Sequence, residues 1–220
     1  MRLLYLFPSS VQLQPGGQAV LDWGGAAPFN SDRALVENPA LAYPQVLPQA
    51  LSAAECAQVV ALGESTAHQR AGVNQRDDLA SRDYRISDIA WIEPAPPAQW
   101  LFHRLGMLFL TVNRSYGLEL SGFAEGLQYT CYGPGQYFHW HGDLGAGSTS
   151  LRKLSLTIQL SDPADYDGGE LQFHGAADLP VARALGSATF FPSYLAHQVA
   201  PITRGLRRSL VAWAYGPAFR

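Results

Sequence analysis

A strict alternation of polar and apolar residues marks the segment from Lys153 to Leu160 as a β-strand. Every even position of this segment is apolar and every odd position is polar. Successive side chains of a strand point to opposite faces of a sheet, so the pattern predicts a strand with two distinct faces. Short runs rich in β-branched and aromatic residues, bounded by turn signals, predict the remaining strands at 126–132, 136–142, 170–174, 187–191, 196–201 and 207–215.

Two segments before this β-rich half carry helical patterns. Ser52 and Glu55 have the spacing of a capping box, and apolar residues follow at helical intervals. A second helix is predicted to begin near Pro97, a favoured first-turn residue, and to end at Gly117. The pattern therefore predicts a mainly β fold with flanking α, a sandwich or jelly roll in which two N-terminal helices buttress one sheet.

The first 50 residues differ from the rest of the chain. They are rich in Gly and Pro and have weak periodicity, which predicts an irregular arm that packs on the core and carries a short strand or two. We expect residues 51–220 to form one domain that includes both helices. A chain of 220 residues with 47% hydrophobic and 15% charged residues has ample material for one such core.

Charge and composition narrow the class of protein. The formal net charge of -3 does not suggest a nucleic-acid binder. No apolar run approaches the length of about 18 residues that a membrane span needs, and the N-terminal apolar run is too short for a signal peptide. Cys56 and Cys131 lack the spacing of a disulfide framework or a structural zinc site. We therefore expect a soluble cytoplasmic protein with reduced thiols; its oligomeric state is left open.

The predicted strand at 136–142 carries candidate metal ligands. His139, His141 and Asp143 alternate along the chain, so we expect them to point the same way. An imidazole and a carboxylate two positions apart can supply two neighbouring ligands to one metal. His197, near the start of another predicted strand, offers a third. Two histidines and one carboxylate on one face of an octahedron leave three positions free, which suits non-haem Fe(II) and O₂ chemistry.

Arg207 is a candidate anchor for an anionic cosubstrate in the same cavity. It follows His197 by ten positions, and a turn at 203–205 would bring the two together. Ser209 shares the face of Arg207 and can add a hydrogen bond. The planar guanidinium matches a carboxylate, and such a charged hydrogen bond contributes about 1.5 to 3 kcal/mol. A dicarboxylate that binds the metal at one end needs such a partner at the other.

Three motifs together resemble the prolyl-4-hydroxylase-like 2-oxoglutarate oxygenases, especially their bacterial PKHD-type branch. Residues 132–143 are similar to the signature Y-x-x-G-x-x-(F/Y)-x-x-H-x-D of that family. Residues 160–171 resemble its strand–turn–strand segment, and residues 197–209 resemble its ending H-x-V-x-P…G-x-R-x-S. The resemblance follows the family order from about Gln128 to Trp213.

The resemblance implies a double-stranded β-helix, or jelly roll, and an oxidoreductase that uses Fe(2+), 2-oxoglutarate and O₂, with ascorbate as an accessory reductant. The implied metal ligands, which are catalytic together with Arg207, are His141, Asp143 and His197. The residues implied to bind the cosubstrate are Arg207, Tyr132, Ser209 and Gln159. Gln159 departs from the family pattern, because some relatives place a tyrosine at this position.

The expected reaction is hydroxylation of an unactivated C–H bond by a dioxygenase. Asp143 favours hydroxylation, since related halogenases lack this carboxylate so that chloride can bind. The expected substrate is a prolyl or other residue in a peptide or protein, with no nucleic-acid or membrane partner. One alternative is a hydroxylase of a free amino acid or natural product. Another is a non-catalytic, cupin-like metal-binding module, which would have no reason to retain Arg207 and Ser209.

Overall fold

The computed structural model describes residues 37–71, 84–175 and 181–219, together with the backbone of residues 5–6, 10–13 and 19–22. Two α-helices lie in this part of the chain, α1 (Ala53–Glu64) and α2 (Gln99–Tyr116). The strands of the same part are β1 (Tyr5–Leu6), β2 (Ser10–Leu13), β3 (Ala19–Asp22), β4 (Gln45–Leu47), β5 (Gln69–Arg70), β6 (Arg85–Ile86), β7 (Asp88–Ile92), β8 (Gly122–Phe123), β9 (Leu127–Tyr132), β10 (Tyr137–His141), β11 (Arg152–Gln159), β12 (Tyr166–Gly168), β13 (Leu171–Phe173), β14 (Ala188–Pro192), β15 (His197–Val199), β16 (Ile202–Gly205) and β17 (Arg207–Tyr215).

Two antiparallel sheets form the framework. The major sheet has the strand order β4-β14-β11-β17-β9-β7-β5, and the minor sheet has the order β13-β15-β10-β6. From β9 onward the strands of these two sheets alternate between them, and β12 pairs with β16 outside both; β9 pairs with β17 in the major sheet and β10 with β15 in the minor one. This arrangement is the jelly roll that the sequence predicted.

Strand β11 lies at the centre of the major sheet and confirms the predicted alternation. It pairs with β14 on one side and β17 on the other. We call the face turned to the helices the outer face; its buried residues include Tyr129, Leu154, Leu156, Ile158, Ala188, Phe190, Leu210 and Ala212. We call the opposite face the inner face; its buried residues include Gln128, Thr130, Ser155, Thr157, Gln159, Thr189, Arg207, Ser209 and Trp213.

Both predicted helices are confirmed and pack on the outer face. The amide of Glu55 donates to Ser52 Oγ at 3.2 Å, and the amide of Ser52 donates to Glu55 Oε2 at 2.7 Å, which completes the capping box of α1. Gly117 ends α2 with φ 64°, a left-handed conformation that favours glycine. Phe109 of α2 meets Phe190 edge to face at a centroid distance of 5.2 Å, which fixes the helix on the sheet.

Several details differ from the sequence expectation. Residues 202–205 form strand β16, which pairs with β12, where a turn was predicted. The chain bends instead at Gly205, with φ 75°, before β17 begins. Sequence analysis also missed the short strands β5 to β8 and β12, because runs of two to five residues carry little periodic signal.

The N-terminal region contributes strands to the described structure. β1 pairs with β8, β2 pairs with β3, and β4 pairs with β14 at the edge of the major sheet. The predicted arm otherwise falls partly outside the described residues, and its boundary at residue 50 stays a prediction. Within the described chain, no helix has the length and apolarity to cross a membrane.

Candidate metal and cosubstrate site

The two histidines and the aspartate predicted as ligands meet at one end of the cavity between the sheets. His141 ends β10 and lies directly opposite His197, the first residue of β15. Asp143 follows β10 by two residues. Its Oδ1 is 3.8 Å from His141 Nε2, and its Oδ2 is 3.7 Å from His197 Nε2. The three candidate ligand atoms all lie within 4.8 Å of one another, so one cation can reach them all.

A β-bulge decides which residues of β10 face the cavity. Phe138 is opposite Val199 and His141 is opposite His197, so β10 holds one more residue than its partner over this stretch. As a result Phe138 lines the cavity and stacks on His141 at a centroid distance of 3.5 Å. His139 is exposed and contacts Tyr84 instead. The expectation that His139 points the same way as the ligands was wrong, because the bulge interrupts the alternation.

The backbone orients both imidazoles for metal binding. His141 Nδ1 lies 2.7 Å from the carbonyl oxygen of His139, and His197 Nδ1 lies 2.9 Å from that of Leu195. A carbonyl oxygen can only accept, so each Nδ1 carries the hydrogen and each Nε2 presents a lone pair to the centre. Such support of the second ring nitrogen is usual for metal-bound histidine.

The charge states of the cluster also suit a cation. Burial, and next the neighbouring His197, lower the pKa of His141 to about 3, which keeps this imidazole neutral. Burial opposes ionisation of Asp143, but the two imidazoles, Arg152 and a hydrogen bond from Ser155 together bring its pKa below the ordinary value. Neutral imidazole and ionised carboxylate are the forms that bind metals.

The other end of the cavity holds Arg207, the first residue of β17. Its side chain is 1% exposed, and none of its three guanidinium nitrogens has a hydrogen-bond partner in the described chain. The nearest groups that favour its charge are Tyr132 and Tyr166, but neither meets hydrogen-bond geometry. Burial lowers the pKa of Arg207, yet a guanidinium remains protonated. An unpaired buried charge is costly, so this end is suited to a carboxylate ligand.

Local packing leaves room for that guanidinium. Gly169 has φ 67°, and a Cβ added there would lie 2.9 Å from Arg207 Cδ. The ring of Tyr132 lies on the neighbouring strand, with its centroid 5.7 Å from Arg207 Cζ.

The remaining predicted cosubstrate residues lie near Arg207. Tyr132 and Ser209 line the cavity. Gln159 is opposite Ser209 in the strand register, with its Oε1 buried and unpartnered, and it lies beside the cavity rather than on its wall. These positions leave the predicted roles of Tyr132, Ser209 and Gln159 open to direct test.

Sequence reasoning did not identify three residues that shape the site. Ser155 Oγ donates to Asp143 Oδ2 at 2.6 Å, and its position on the polar side of β11 was a signal that could have found it. Arg85 reaches across the cavity from β6 and donates to Gln128 Oε1 at 2.6 Å. Trp213 lines the cavity with its Nε1 buried and unpartnered. Periodicity gave no sign of the long-range contact of Arg85.

Comparisons with known proteins agree with this geometry. Residues 127–215 match the family model described as the 2OG-Fe(II) oxygenase superfamily. A PKHD-type hydroxylase of Sphingopyxis alaskensis is 46% identical over 83 residues, which is 36% of this chain and 38% of that protein. A PKHD-type hydroxylase of Cupriavidus metallidurans is 40% identical over 89 residues, 37% of this chain and 39% of that protein. The matched part is thus well under half the length of these relatives.

Solved structures share the fold over a larger part of the chain. A prolyl-4-hydroxylase of Pseudomonas putida superposes with a TM-score of 0.60 at 26% identity, covering 78% of this chain and 92% of that one. A prolyl hydroxylase of Trichoplax adhaerens, in complex with a hypoxia inducible factor peptide fragment, gives a TM-score of 0.65 over 81% of this chain and 85% of that one. Its identity of 18% shows the common fold alone.

Fold and site together define a class: jelly rolls with two histidines and one carboxylate at one end of a cavity and a buried cation at the other. Within that class, residues 127–215 are similar to the 2OG-Fe(II) oxygenase superfamily, whose family model they match. The donor set fits Fe(II), which prefers imidazole and carboxylate ligands with open positions. The unpaired Arg207 fits the far carboxylate of 2-oxoglutarate.

Proposed function

We propose that this protein is an Fe(II)- and 2-oxoglutarate-dependent dioxygenase that hydroxylates an unactivated C–H bond. The observation that carries the proposal is the buried, unpaired guanidinium of Arg207 in the same cavity as the His141, Asp143 and His197 cluster. A module that only binds a metal has no use for this second, costly charge. When bound, iron with 2-oxoglutarate and O₂ supplies oxidative decarboxylation coupled to insertion of one oxygen atom.

In this proposal each residue of the chain has a defined task. His141, Asp143 and His197 hold the metal, and Arg207 orients the cosubstrate by its far carboxylate, with Ser209 as a further donor. Tyr132 contacts the cosubstrate, and Gln159 supplies a polar neighbour where some relatives have tyrosine. The apolar walls formed by Phe138, Leu171 and Val199 exclude water from the reacting groups.

The test of this activity is cosubstrate binding followed by turnover. Purified protein is loaded with Fe(II) without oxygen and titrated with 2-oxoglutarate, while the visible charge-transfer band is recorded. We expect a band in the wild type and a much weaker affinity in Arg207→Met. Failure of the wild type to give the band would favour the non-catalytic, cupin-like alternative.

As the substrate, we propose a prolyl or other residue of a peptide or protein. The names of the PKHD-type relatives and the prolyl-4-hydroxylase neighbour support a hydroxylase of this kind.

A free amino acid or natural product is the second candidate, and Arg85 favours it. Arg85 lines the cavity, stacks on Phe138 with its Cζ 4.5 Å from the ring centroid, and is held by the neutral groups of Ser87 and Gln128. Among the described residues no carboxylate pairs with it. A substrate carboxylate would complement this charge.

One screen separates the two candidates. Prolyl peptides with blocked ends and free amino acids are each incubated with enzyme, Fe(II) and 2-oxoglutarate. Succinate and a product heavier by one oxygen are measured by mass spectrometry. If free amino acids are substrates, Arg85→Gln should raise their KM, whereas it should leave the KM of blocked prolyl peptides unchanged, because these lack the carboxylate. If the enzyme turns over neither set, the remaining candidate substrate is a natural product other than a free amino acid.

The location and partners of the protein are part of the same proposal. We propose a cytoplasmic protein whose partner is its substrate, without nucleic-acid or membrane binding. Cys56 and Cys131 are both free and buried, which supports a reducing compartment. Ascorbate is the proposed accessory reductant, and its addition should increase the number of turnovers before the enzyme inactivates.

A further inference from the structure

Ser155 and Ser193 lie directly behind the proposed carboxylate ligand. Both are fully buried on the major sheet or the turn that follows it. Ser155 Oγ donates to Asp143 Oδ2 at 2.6 Å, and the two serine hydroxyls are 3.0 Å apart. A serine hydroxyl has a single proton, and Ser155 gives its proton to the carboxylate. Ser193 must therefore be the donor to Ser155, so the chain of hydrogen bonds has one direction.

Ser193 also holds the backbone of the ligand segment. Its carbonyl oxygen accepts from the amides of Asp143, at 2.9 Å, and Leu144, at 2.8 Å. Its own amide donates to the carbonyl of Lys153 at 3.0 Å, which attaches the turn to β11. One residue thus fixes Asp143 through the main chain directly and through the side chain by way of Ser155.

The same turn leads to the second histidine. Ser193 is the first residue after β14, and His197 begins β15 four residues later. The ring of His197 is held by the carbonyl of Leu195. The orientation of Asp143 and that of His197 therefore depend on one short segment. A carboxylate that is already hydrogen-bonded through Oδ2 keeps its orientation without the metal.

We propose that Ser155 and Ser193 are positioning residues that fix Asp143 as a ligand by one directed chain of hydrogen bonds, Ser193 to Ser155 to Asp143. This inference rests on the proposed function, because it takes Asp143 to be a metal ligand. Groups that support ligands in this way typically change metal affinity by about 10- to 100-fold when they are removed.

The test measures metal binding rather than turnover. Mn(II) is titrated into metal-free wild type, Ser155→Ala, Ser193→Ala and Thr189→Val, and free Mn(II) is followed by electron paramagnetic resonance. Thr189 is a matched control, since its hydroxyl is buried on the inner face and has no partner among the residues that the structure describes. We expect about a 10- to 100-fold loss of affinity in Ser155→Ala, a smaller loss in Ser193→Ala and none in Thr189→Val.

Three further measurements separate positioning from damage to the fold. Co(II) replaces Mn(II), and we expect the d–d absorption of Ser155→Ala to differ from that of the wild type, because the carboxylate is free to rotate. At saturating metal, the affinity for 2-oxoglutarate should be unchanged, since Arg207 is untouched. Thermal unfolding identifies a variant that does not fold; if Ser155→Ala is one, Ser193→Ala decides.

The outcomes are distinct. Wild type that binds no Mn(II) would overturn the proposed function itself. Wild type that binds Mn(II), with folded serine variants that bind it equally well and give the same Co(II) spectrum, would overturn the positioning role. Equal losses in Thr189→Val and Ser155→Ala would also overturn it, because the effect would then belong to the sheet and not to the hydrogen-bond chain.

Discussion

The two faces of the major sheet are both buried, yet their side chains are chemically opposite. The outer face packs aliphatic and aromatic side chains under α1 and α2. The inner face is polar, and it carries the buried side-chain nitrogens and oxygens that lack partners in the described chain: Gln159 Oε1, Thr189 Oγ1, Trp213 Nε1 and the three nitrogens of Arg207. The outer face therefore stabilises the fold, while Arg207 and Trp213 on the inner face, which also line the cavity, retain hydrogen-bonding capacity for ligands.

The largest effect is expected at the metal end of the inner face. Asp143→Ala removes the anionic ligand, so we expect turnover to fall to the background level in a succinate assay. The matched control is Asp162→Asn, an exposed carboxylate outside the cavity, which should keep wild-type turnover. Native-rate hydroxylation by Asp143→Ala would refute the ligand assignment.

On the outer face, truncation should damage stability and not cosubstrate binding. Phe190 is fully buried and packs against Phe109 of α2. We expect Phe190→Ala to lower the free energy of unfolding by about 3 to 5 kcal/mol. Denaturant unfolding gives that value, and KM for 2-oxoglutarate should be unchanged below the melting temperature. A large rise in KM would show that the two faces are not separable.

Arg207→Met, on the inner face, should weaken cosubstrate binding without lowering the stability of the fold. Loss of the charged hydrogen bonds, worth about 1.5 to 3 kcal/mol, should raise KM for 2-oxoglutarate by roughly 10- to 150-fold. Removal of an unpaired buried charge should also stabilise the ligand-free protein by about 1 to 4 kcal/mol, by analogy with the replacement of buried ion pairs. Steady-state kinetics and denaturant unfolding measure the two effects.

The control for this variant is its neighbour in the chain. Arg208 points away from the cavity, and its Nε lies 3.3 Å from Glu64 Oε1. Arg208→Met should leave KM unchanged and should not stabilise the protein. If both variants raised stability equally, the result would reflect the apolar methionine and not the unpaired charge at position 207.

The smallest expected effect concerns the polar contact of the outer face with α1. Tyr129 donates to Glu64 Oε1 at 2.7 Å, and this hydrogen bond is the main cause that lowers the pKa of Glu64. A carboxyl group with a lowered pKa stabilises the fold above its unfolded pKa, and that stabilisation is lost as pH falls through the folded pKa. The free-energy difference between wild type and Glu64→Gln should therefore be larger at neutral pH than in acid, and since Glu64 is partly exposed it should stay below about 1 kcal/mol.

Sequence analysis recovered the features that depend on local patterns. The alternation of β11, the capping box of Ser52 and Glu55, and the helix end at Gly117 are all found in the structure. The candidate metal cluster was also recovered, because His141, Asp143 and His197 stand in short motifs that the family resemblance identifies. Contacts between distant segments that no motif marks were not recovered. Arg85 meets Gln128 across 43 positions, and no periodicity signals such a pair.

The expectations that failed share a physical cause. His139 was predicted to share the face of His141, but the bulge in β10 moves it to the surface. Residues 203–205 were predicted as a turn, yet their backbone finds partners in β12. In both cases, pairing with another strand overrides what the local pattern indicates.

Because of the bulge, the number of residues between Phe138 and His141 decides which residue of β10 lies opposite His197. Its extra residue is what sets His141, rather than Trp140, opposite His197. If β10 paired regularly with β15 at its present length, Trp140 would lie opposite His197 and His141 would point to the other side of the strand. A change that abolishes the bulge without shortening β10 should therefore be more harmful than most replacements of His139 or Trp140, whose side chains are exposed.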